Sequence, residues 1–142
     1  MRFWDSSAIV PLLVEEPASR AARAELGRDP VVVAWWGSSV ECVSALGRIE
    51  REGALAPAGM AEALARLDDV AAGWQEVQPV ERVRSTAIRL LRVHPLRAAD
   101  AMQLAAALAA AEADPASLPF VTFDDRQALA AEREGFAVIR PA

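Results

Sequence analysis

The sequence predicts an α/β domain in which a central, mostly parallel sheet of about five strands is flanked by helices. Short apolar runs alternate along the chain with longer segments of helical pattern, which is typical of parallel sheets with helical crossovers. Pro17, Pro57 and Pro95 stand where helices are predicted to begin, and Gly53 and Gly135 stand just past predicted helix ends. No linker or internal repeat divides the chain, so residues 1–142 are predicted to form one domain.

Each predicted strand is a short run bounded by turn or helix signals. In chain order, the strands are predicted at 2–5, 31–35, 74–79, 119–124 and 136–140. The first, second and fourth runs are almost continuously apolar, as expected of strands that are covered on both faces. Right-handed crossovers make the first and fourth strands plausible neighbours near the switch point of the sheet, where ligands of open parallel sheets bind.

The predicted helices fill the intervals between these strands. In chain order, they are predicted at 7–14, 17–27, 39–52, 57–72, 80–91, 95–112 and 125–134. The alanine-rich stretch within 98–111 contains Asp100 and Gln103 and is too short to span a bilayer. The opening residues lack the apolar core of a signal peptide, so the expected location is the cytoplasm, with no membrane partner.

The composition excludes several classes of site. The one cysteine, Cys42, excludes an internal disulfide and a cysteine-based zinc cage. The chain has no lysine, which excludes a Walker-type phosphate lysine and a Schiff-base lysine. Its net charge of −5 argues against nucleic acid as a partner. However, the segment 82–97 carries five arginines and no acid, so it could hold phosphate or simply be a solvated helix face.

Four acidic residues stand at places where a carboxylate is costly. Asp5 and Asp124 end apolar strands, Glu41 lies in the first turn of a predicted helix, and Asp100 interrupts the alanine-rich helix. If the fold gathers these four carboxylates, their natural partner is a divalent cation. The natural chemistry of such a site is metal-assisted cleavage of a phosphodiester.

Each acid also has a structural alternative. Asp5 could cap the first helix, although Ser6 and Ser7 could cap it instead. Ser38 and Glu41 have the spacing of a capping box, which by spacing alone is the better interpretation of Glu41. Asp100 is predicted to lie too deep for a cap if Pro95 is the first helical residue.

The neighbours of the acids suggest supporting roles. Gln103 lies one turn beyond Asp100 and is predicted to orient its carboxylate. Thr122 shares a strand face with Asp124 and suits a hydrogen-bonding contact behind the acids. Of the adjacent Asp124 and Asp125, one could cap the last helix while the other points into the cleft.

Five segments, in this order and spacing, resemble the PIN-domain ribonucleases of the VapC toxin type. These segments are 3–8, 38–41, 96–105, 120–126 and 134–138. The resemblance implies a Rossmann-like three-layer fold and an endoribonuclease that depends on Mg²⁺ or Mn²⁺. It also implies an antitoxin whose tail covers the cleft, and commonly a homodimer.

The resemblance assigns the catalytic, metal-binding acids to Asp5, Glu41, Asp100 and Asp124, although Asp125 could replace Asp124. In this interpretation the predicted supporting residues are Ser6, Thr122, Gln103 and Asp125. Without lysine, arginine alone remains for contact with RNA phosphates. The arginine candidates are Arg89, Arg92 and Arg97.

Two further functions remain open from the sequence. A non-catalytic binding module of the same fold could dock a basic partner segment in the acidic cleft, which would explain the acidic charge more directly. A phosphotransfer or phosphatase domain usually needs a second aspartate two residues after the nucleophile. Here Ser6 and Ser7 follow Asp5, so that pattern fails.

Overall fold

The predicted α/β architecture is confirmed by the computed structural model, which describes residues 1–142. Five strands form one sheet in the order β3-β2-β1-β4-β5, and every neighbouring pair is parallel. The strands are β1 (Arg2–Trp4), β2 (Val32–Trp35), β3 (Gln75–Val77), β4 (Phe120–Val121) and β5 (Val138–Ile139). The helices are α1 (Ser6–Leu13), α2 (Ser19–Arg28), α3 (Ser38–Arg51), α4 (Pro57–Gly73), α5 (Glu81–Val93), α6 (Ala98–Ala110) and α7 (Asp125–Arg133).

Two hydrophobic clusters, one on each face of the sheet, make the fold three layers thick. Helices α1 to α4 contribute to one cluster, whose buried centre includes Trp4 and Leu46. Helices α5 to α7 contribute to the other cluster, in which Phe3 stacks on Phe120 at a centroid distance of 5.3 Å. Successive residues of β1 therefore point to opposite layers, as strand geometry requires.

Strands β1 and β4 are neighbours, as the sequence predicted. Phe3 pairs with Phe120, and Trp4 pairs with Val121. The chain builds outward from β1 through β2 to β3, then crosses to the other side of β1 for β4 and β5. The switch point therefore lies between the carboxyl ends of β1 and β4, where a crevice is expected.

Several helix boundaries differ from the prediction. Helix α2 begins at Ser19 and α6 begins at Ala98, in each case after the proline that the sequence suggested as the start. At α6, Arg97 is the extended residue before the helix, and a tight turn from Leu96 N–H to the His94 carbonyl precedes it. Gly53 and Gly135 adopt positive φ angles of 80° and 100° just past α3 and α7, as predicted. None of the seven helices combines the length and apolar character that a bilayer span requires.

Candidate metal-dependent active site

A cavity of about 680 Å³ opens at the carboxyl edge of the sheet, at the switch point. All four predicted acids line it. Asp5 follows β1, Glu41 lies in the first turn of α3, Asp100 in the first turn of α6, and Asp124 directly before α7. The fold thus brings together carboxylates that are as much as 119 positions apart in the chain.

Asp5 is the most deeply placed acid, with 4% of its surface exposed. Ser7 donates a hydrogen bond to Oδ1 at 2.6 Å, and Thr122 donates one to Oδ2 at 2.7 Å. Asp5 is the N-cap residue of α1, but its side chain makes no capping hydrogen bond. The backbone N–H of Ala8 in that turn lowers the pKa of Asp5 less than the Ser7 and Thr122 hydroxyl groups do, so a helix cap is a minor reason for an acid at this position.

Thr122 and Ser7 link Asp5 to the segment that carries Asp124. Thr122 is fully buried, and its Oγ1 accepts a hydrogen bond from the Asp124 N–H at 3.0 Å. The Ser7 Oγ accepts a hydrogen bond from the Phe123 N–H at 3.0 Å. The ends of β1 and β4 are therefore held in a fixed relation by hydroxyl groups that also orient the Asp5 carboxylate.

Glu41 points into the cavity and does not form the capping box that its spacing suggested. Its Oε1 accepts from Ser6 at 3.2 Å, and its Oε2 accepts from Gln103 at 2.8 Å. Ser38 is buried and bonds to Gln103 instead of capping α3. Gln103 was predicted to orient Asp100, and that prediction is wrong, because its amide is buried against α3 and holds Glu41.

Asp100 lies closer to the helix start than the sequence predicted. Since α6 begins at Ala98, Asp100 is in its first turn, where an acid is favoured by the helix dipole and by free N–H groups. A backbone hydrogen bond with Arg97 is one of the contacts that favour its charged form. Gln127 on α7 donates to the Asp100 carbonyl at 3.0 Å, which fixes the two helix starts together.

Asp124 and Asp125 have different surroundings. Asp124 caps α7 by accepting from the Gln127 N–H at 2.8 Å, and it still lines the cavity. Asp125 also lies at the cavity wall, but its side chain is 83% exposed and is paired with Arg140. This geometry favours Asp124 over Asp125 as the fourth acid.

Burial raises the pKa of three of the acids, and repulsion between the acids adds to the rise. Burial raises the pKa of Asp5 to about 7, against hydrogen bonds from Ser7 and Thr122 that lower it, and repulsion from Asp124 adds to the rise. The pKa of Asp100 is raised by burial and by Asp124. The pKa of Glu41 is raised by burial and by Asp100, despite hydrogen bonds from Gln103 and Ser6. Such a cluster favours protons or cations.

Of the arginines singled out from the sequence, only Arg97 lines the cavity. Arg89 is paired instead with Glu134 at 2.7 Å, and Arg92 projects from α5 outside the cavity wall. Arg48 on α3 and Arg126 on α7 line the cavity but were missed. Arg48 carried a signal, because Glu41, Ser44, Ala45 and Arg48 follow the spacing of one helix face.

The donor set fits a hard divalent cation, because it consists of carboxylate oxygens with hydroxyl and amide support. No three acidic, histidine or cysteine side chains stand close enough to hold an ion between them directly. This arrangement is compatible with Mg²⁺, which keeps several waters and is often held by one or two carboxylates. The residues that could hold it are Asp5, Glu41, Asp100 and Asp124.

Comparison with known proteins identifies the family. The PIN domain family matches residues 2–133, which is most of the chain. The chain belongs to the PIN domain family. No curated protein matches this PIN domain in sequence.

Several solved structures share the PIN fold with this chain. FitAcB from Neisseria gonorrhoeae aligns with a TM-score of 0.68 at 19% identity, over 99% of this chain and 98% of the other. VapC20 from Mycobacterium tuberculosis, a sarcin-ricin loop cleaving toxin, aligns with a TM-score of 0.71 at 18% identity, over 99% and 100%. A toxin-antitoxin complex from Klebsiella pneumoniae aligns with a TM-score of 0.68 at 14% identity, over 100% and 98%.

Proposed function

We propose that this PIN domain is a metal-dependent endoribonuclease and the toxin of a toxin–antitoxin pair. One observation carries the proposal. Carboxylates from four separate segments line one cavity at the switch point of the sheet. Burial and mutual repulsion raise the pKa of Asp5, Glu41 and Asp100 there, so their joint ionisation favours a bound cation. The similar structures support the proposed toxin and nuclease roles, because one is a sarcin-ricin loop cleaving toxin and another is a toxin–antitoxin complex.

Each acid has a distinct role in this proposal. Asp5 and Asp100 would be the principal ligands of Mg²⁺ or Mn²⁺, and Glu41 and Asp124 would complete the set through water or by holding a second ion. When bound, the ion supplies an activated water for attack on phosphorus and neutralises charge on the phosphoryl oxygens. Ser7 and Thr122 keep both Asp5 oxygens in place, and Gln103 does the same for Glu41. His94 is buried against Glu134 outside the cavity, so carboxylates are the available proton acceptors.

Replacement of Asp100 by asparagine tests the proposal. We expect RNA cleavage in the presence of Mg²⁺ to fall by about 100-fold or more, since one principal ligand is removed while the side chain keeps its size. Cleavage of a labelled RNA by wild-type protein, with and without chelator, gives the reference. Asp69→Asn is the matched control, because Asp69 is an exposed acid on α4 outside the cavity. Undiminished cleavage by Asp100→Asn would end this assignment.

A basic partner segment is the second ligand that the cavity suits. Four carboxylates in one cavity, of which no three are close enough to hold an ion directly, would also accept the spread charge of a guanidinium. In the proposed toxin, this is where the antitoxin tail would bind and occlude the site, and a homodimer is the proposed form of the toxin itself. In a non-catalytic binding module, the same contact would be the whole function.

The nuclease and the binding module differ in whether their function needs a metal ion. We expect an arginine-rich peptide to bind wild-type protein in a salt-sensitive manner, and to bind the double variant Asp5→Asn, Asp100→Asn at least about tenfold more weakly. Binding is measured by fluorescence anisotropy, with Asp69→Asn as the control. Equal affinity of the double variant and wild type for the peptide would show that the peptide binds outside the cavity. Peptide binding together with chelator-insensitive function would favour the binding module over the nuclease.

A further inference from the structure

The cavity contains three arginines that do not pair with any of its acids. Arg48, Arg97 and Arg126 all line it, and all three side chains are exposed. None of them makes an ion pair or a hydrogen bond within the protein. Arg97 and Arg126 are close enough to lower the pKa of Asp100 by their charge, yet their side chains do not bond to it.

The acids receive their hydrogen bonds from neutral groups instead. Asp5 is held by Ser7 and Thr122, and Glu41 by Ser6 and Gln103. Asp124 is held by a backbone N–H. Elsewhere in the chain some arginines do pair with acids, as Arg89 does with Glu134. The cavity therefore holds negative carboxylates and positive arginines that do not neutralise each other. Such a site suits a cation bound to the carboxylates together with an anionic group bound to the arginines.

The three arginines approach from both helical layers. Arg48 lies on α3, which packs on one face of the sheet. Arg97 precedes α6, and Arg126 lies in the first turn of α7, and both of these helices pack on the other face. The arginines thus come from the two layers that flank the sheet, and all three line the cavity that Asp5 also lines. A chain with regularly spaced negative charges that crosses the sheet edge would meet positive charge on both sides.

Resting on the proposed function, we propose that Arg48 on one rim, and Arg97 with Arg126 on the other, bind backbone phosphates of an RNA strand that crosses the cavity. Ser44 stands on the same face of α3 as Arg48, one turn before it, and its exposed hydroxyl suits the same phosphate oxygens. Because they bind phosphate, these residues anchor and orient the strand without reading its sequence. Arginine suits this task because its planar guanidinium donates to two phosphate oxygens at once.

The salt dependence of RNA binding tests this proposal. A single-stranded RNA oligonucleotide is titrated against Asp100→Asn protein, with fixed Mg²⁺ and varied KCl, and the slope of log Kd against log salt is measured. Adding Arg48→Gln, Arg97→Gln or Arg126→Gln is expected to weaken binding and to reduce the slope by about 0.7 for each phosphate that the variant no longer neutralises. Arg92→Gln is the control, since Arg92 is exposed on α5 outside the cavity and is expected to leave the slope unchanged.

The outcomes separate this inference from the nuclease assignment. Unchanged slopes for all three cavity variants would overturn the role of these arginines in phosphate binding even if cleavage proves to be metal-dependent. Equal slope changes for Arg92→Gln and the cavity variants would also overturn it, because RNA would then bind wherever arginine is exposed. Altered slopes confined to the cavity variants would support phosphate binding at the rims even if the wild-type protein cleaves no RNA and the nuclease assignment fails.

Discussion

Replacement of Asp5 by asparagine is expected to lower Mg²⁺-dependent RNA cleavage by at least about 100-fold while the protein stays folded. Asp5 is the acid with the most complete support, since Ser7 and Thr122 fix both of its oxygens. Asparagine keeps the shape and one acceptor but removes the negative charge that would hold a cation. Initial rates of cleavage of a labelled RNA, measured against circular dichroism of the same samples, separate loss of function from loss of fold.

The matched control is Asp125→Asn, a change of the same chemistry at the acid that is exposed and paired with Arg140. We expect this variant to retain most of its activity, because the charge of Asp124, and not that of Asp125, raises the pKa of Asp5 and Asp100. If Asp125→Asn were inactive and Asp124→Asn fully active, the fourth acid would have been assigned to the wrong neighbour. If Asp5→Asn cleaved at the wild-type rate, the metal site itself would be wrong.

The metal-free protein is expected to lose stability as the pH rises from about 4 to about 7. The folded protein holds a proton on Asp5 up to a pKa of about 7, whereas the ordinary value is 3.8. Between those values the folded state binds more protons than the unfolded state, so the free energy of unfolding falls with rising pH. A difference of about three units corresponds to about 4 kcal/mol, lost in full above pH 7. Glu41 and Asp100, whose pKa values are also raised, act in the same direction.

Urea unfolding in chelator at several pH values measures this loss. The pKa of Glu134 works in the opposite direction: although burial acts to raise it, hydrogen bonds from Arg89 and His94 keep it below the ordinary value. The quantity to compare is therefore the difference in the free energy of unfolding between wild type and Asp5→Asn. Contributions that both proteins share, such as that of Glu134, cancel in this difference. We expect Asp5→Asn to be the more stable protein at pH 7.5. Near pH 4, we expect the two proteins to have nearly equal free energies of unfolding. A constant gap across this range would show that Asp5 ionises normally in the fold.

Adding Mg²⁺ extends the same measurement. An ion that binds only the folded state stabilises it by mass action, and more strongly where the acids are ionised. Wild-type protein should therefore regain stability at pH 7.5 when Mg²⁺ is added, while Asp5→Asn should respond much less. An equal response of both proteins would place the ion outside the cavity.

The parts of the structure that follow from local sequence were predictable. The alternation of apolar runs and helical segments predicted all five strands, all seven helices and the neighbouring positions of β1 and β4. The acids at strand ends were predictable because parallel strands end at a shared edge. Asp5 and Asp124 illustrate this, since each lies just past a strand that is buried on both faces.

The partners of individual side chains were less predictable, because they depend on how helices are rotated and placed against each other. Gln103 shares a helix face with Asp100, yet α6 packs so that its amide meets Glu41 on α3. Ser38 has the residue type and spacing of a helix cap, but its hydroxyl bonds to the buried Gln103 amide and not to the N–H groups at the start of α3. Charge density along the sequence points to the segment 82–97, but only Arg97 of that segment reaches the cavity, whereas Arg48 reaches it from the face of α3 that also carries Glu41.

The position of β4 has a consequence for biosynthesis. β1 comes early in the sequence, but one of its two neighbours, β4 (Phe120–Val121), comes much later, and Asp124 stands shortly after β4. Because a ribosome adds Asp5 and Glu41 long before Asp124, the incomplete chain lacks the fourth carboxylate and the strand that shapes the cavity. We therefore expect the growing polypeptide to acquire the proposed nuclease site only after β4 and Asp124 have been synthesised.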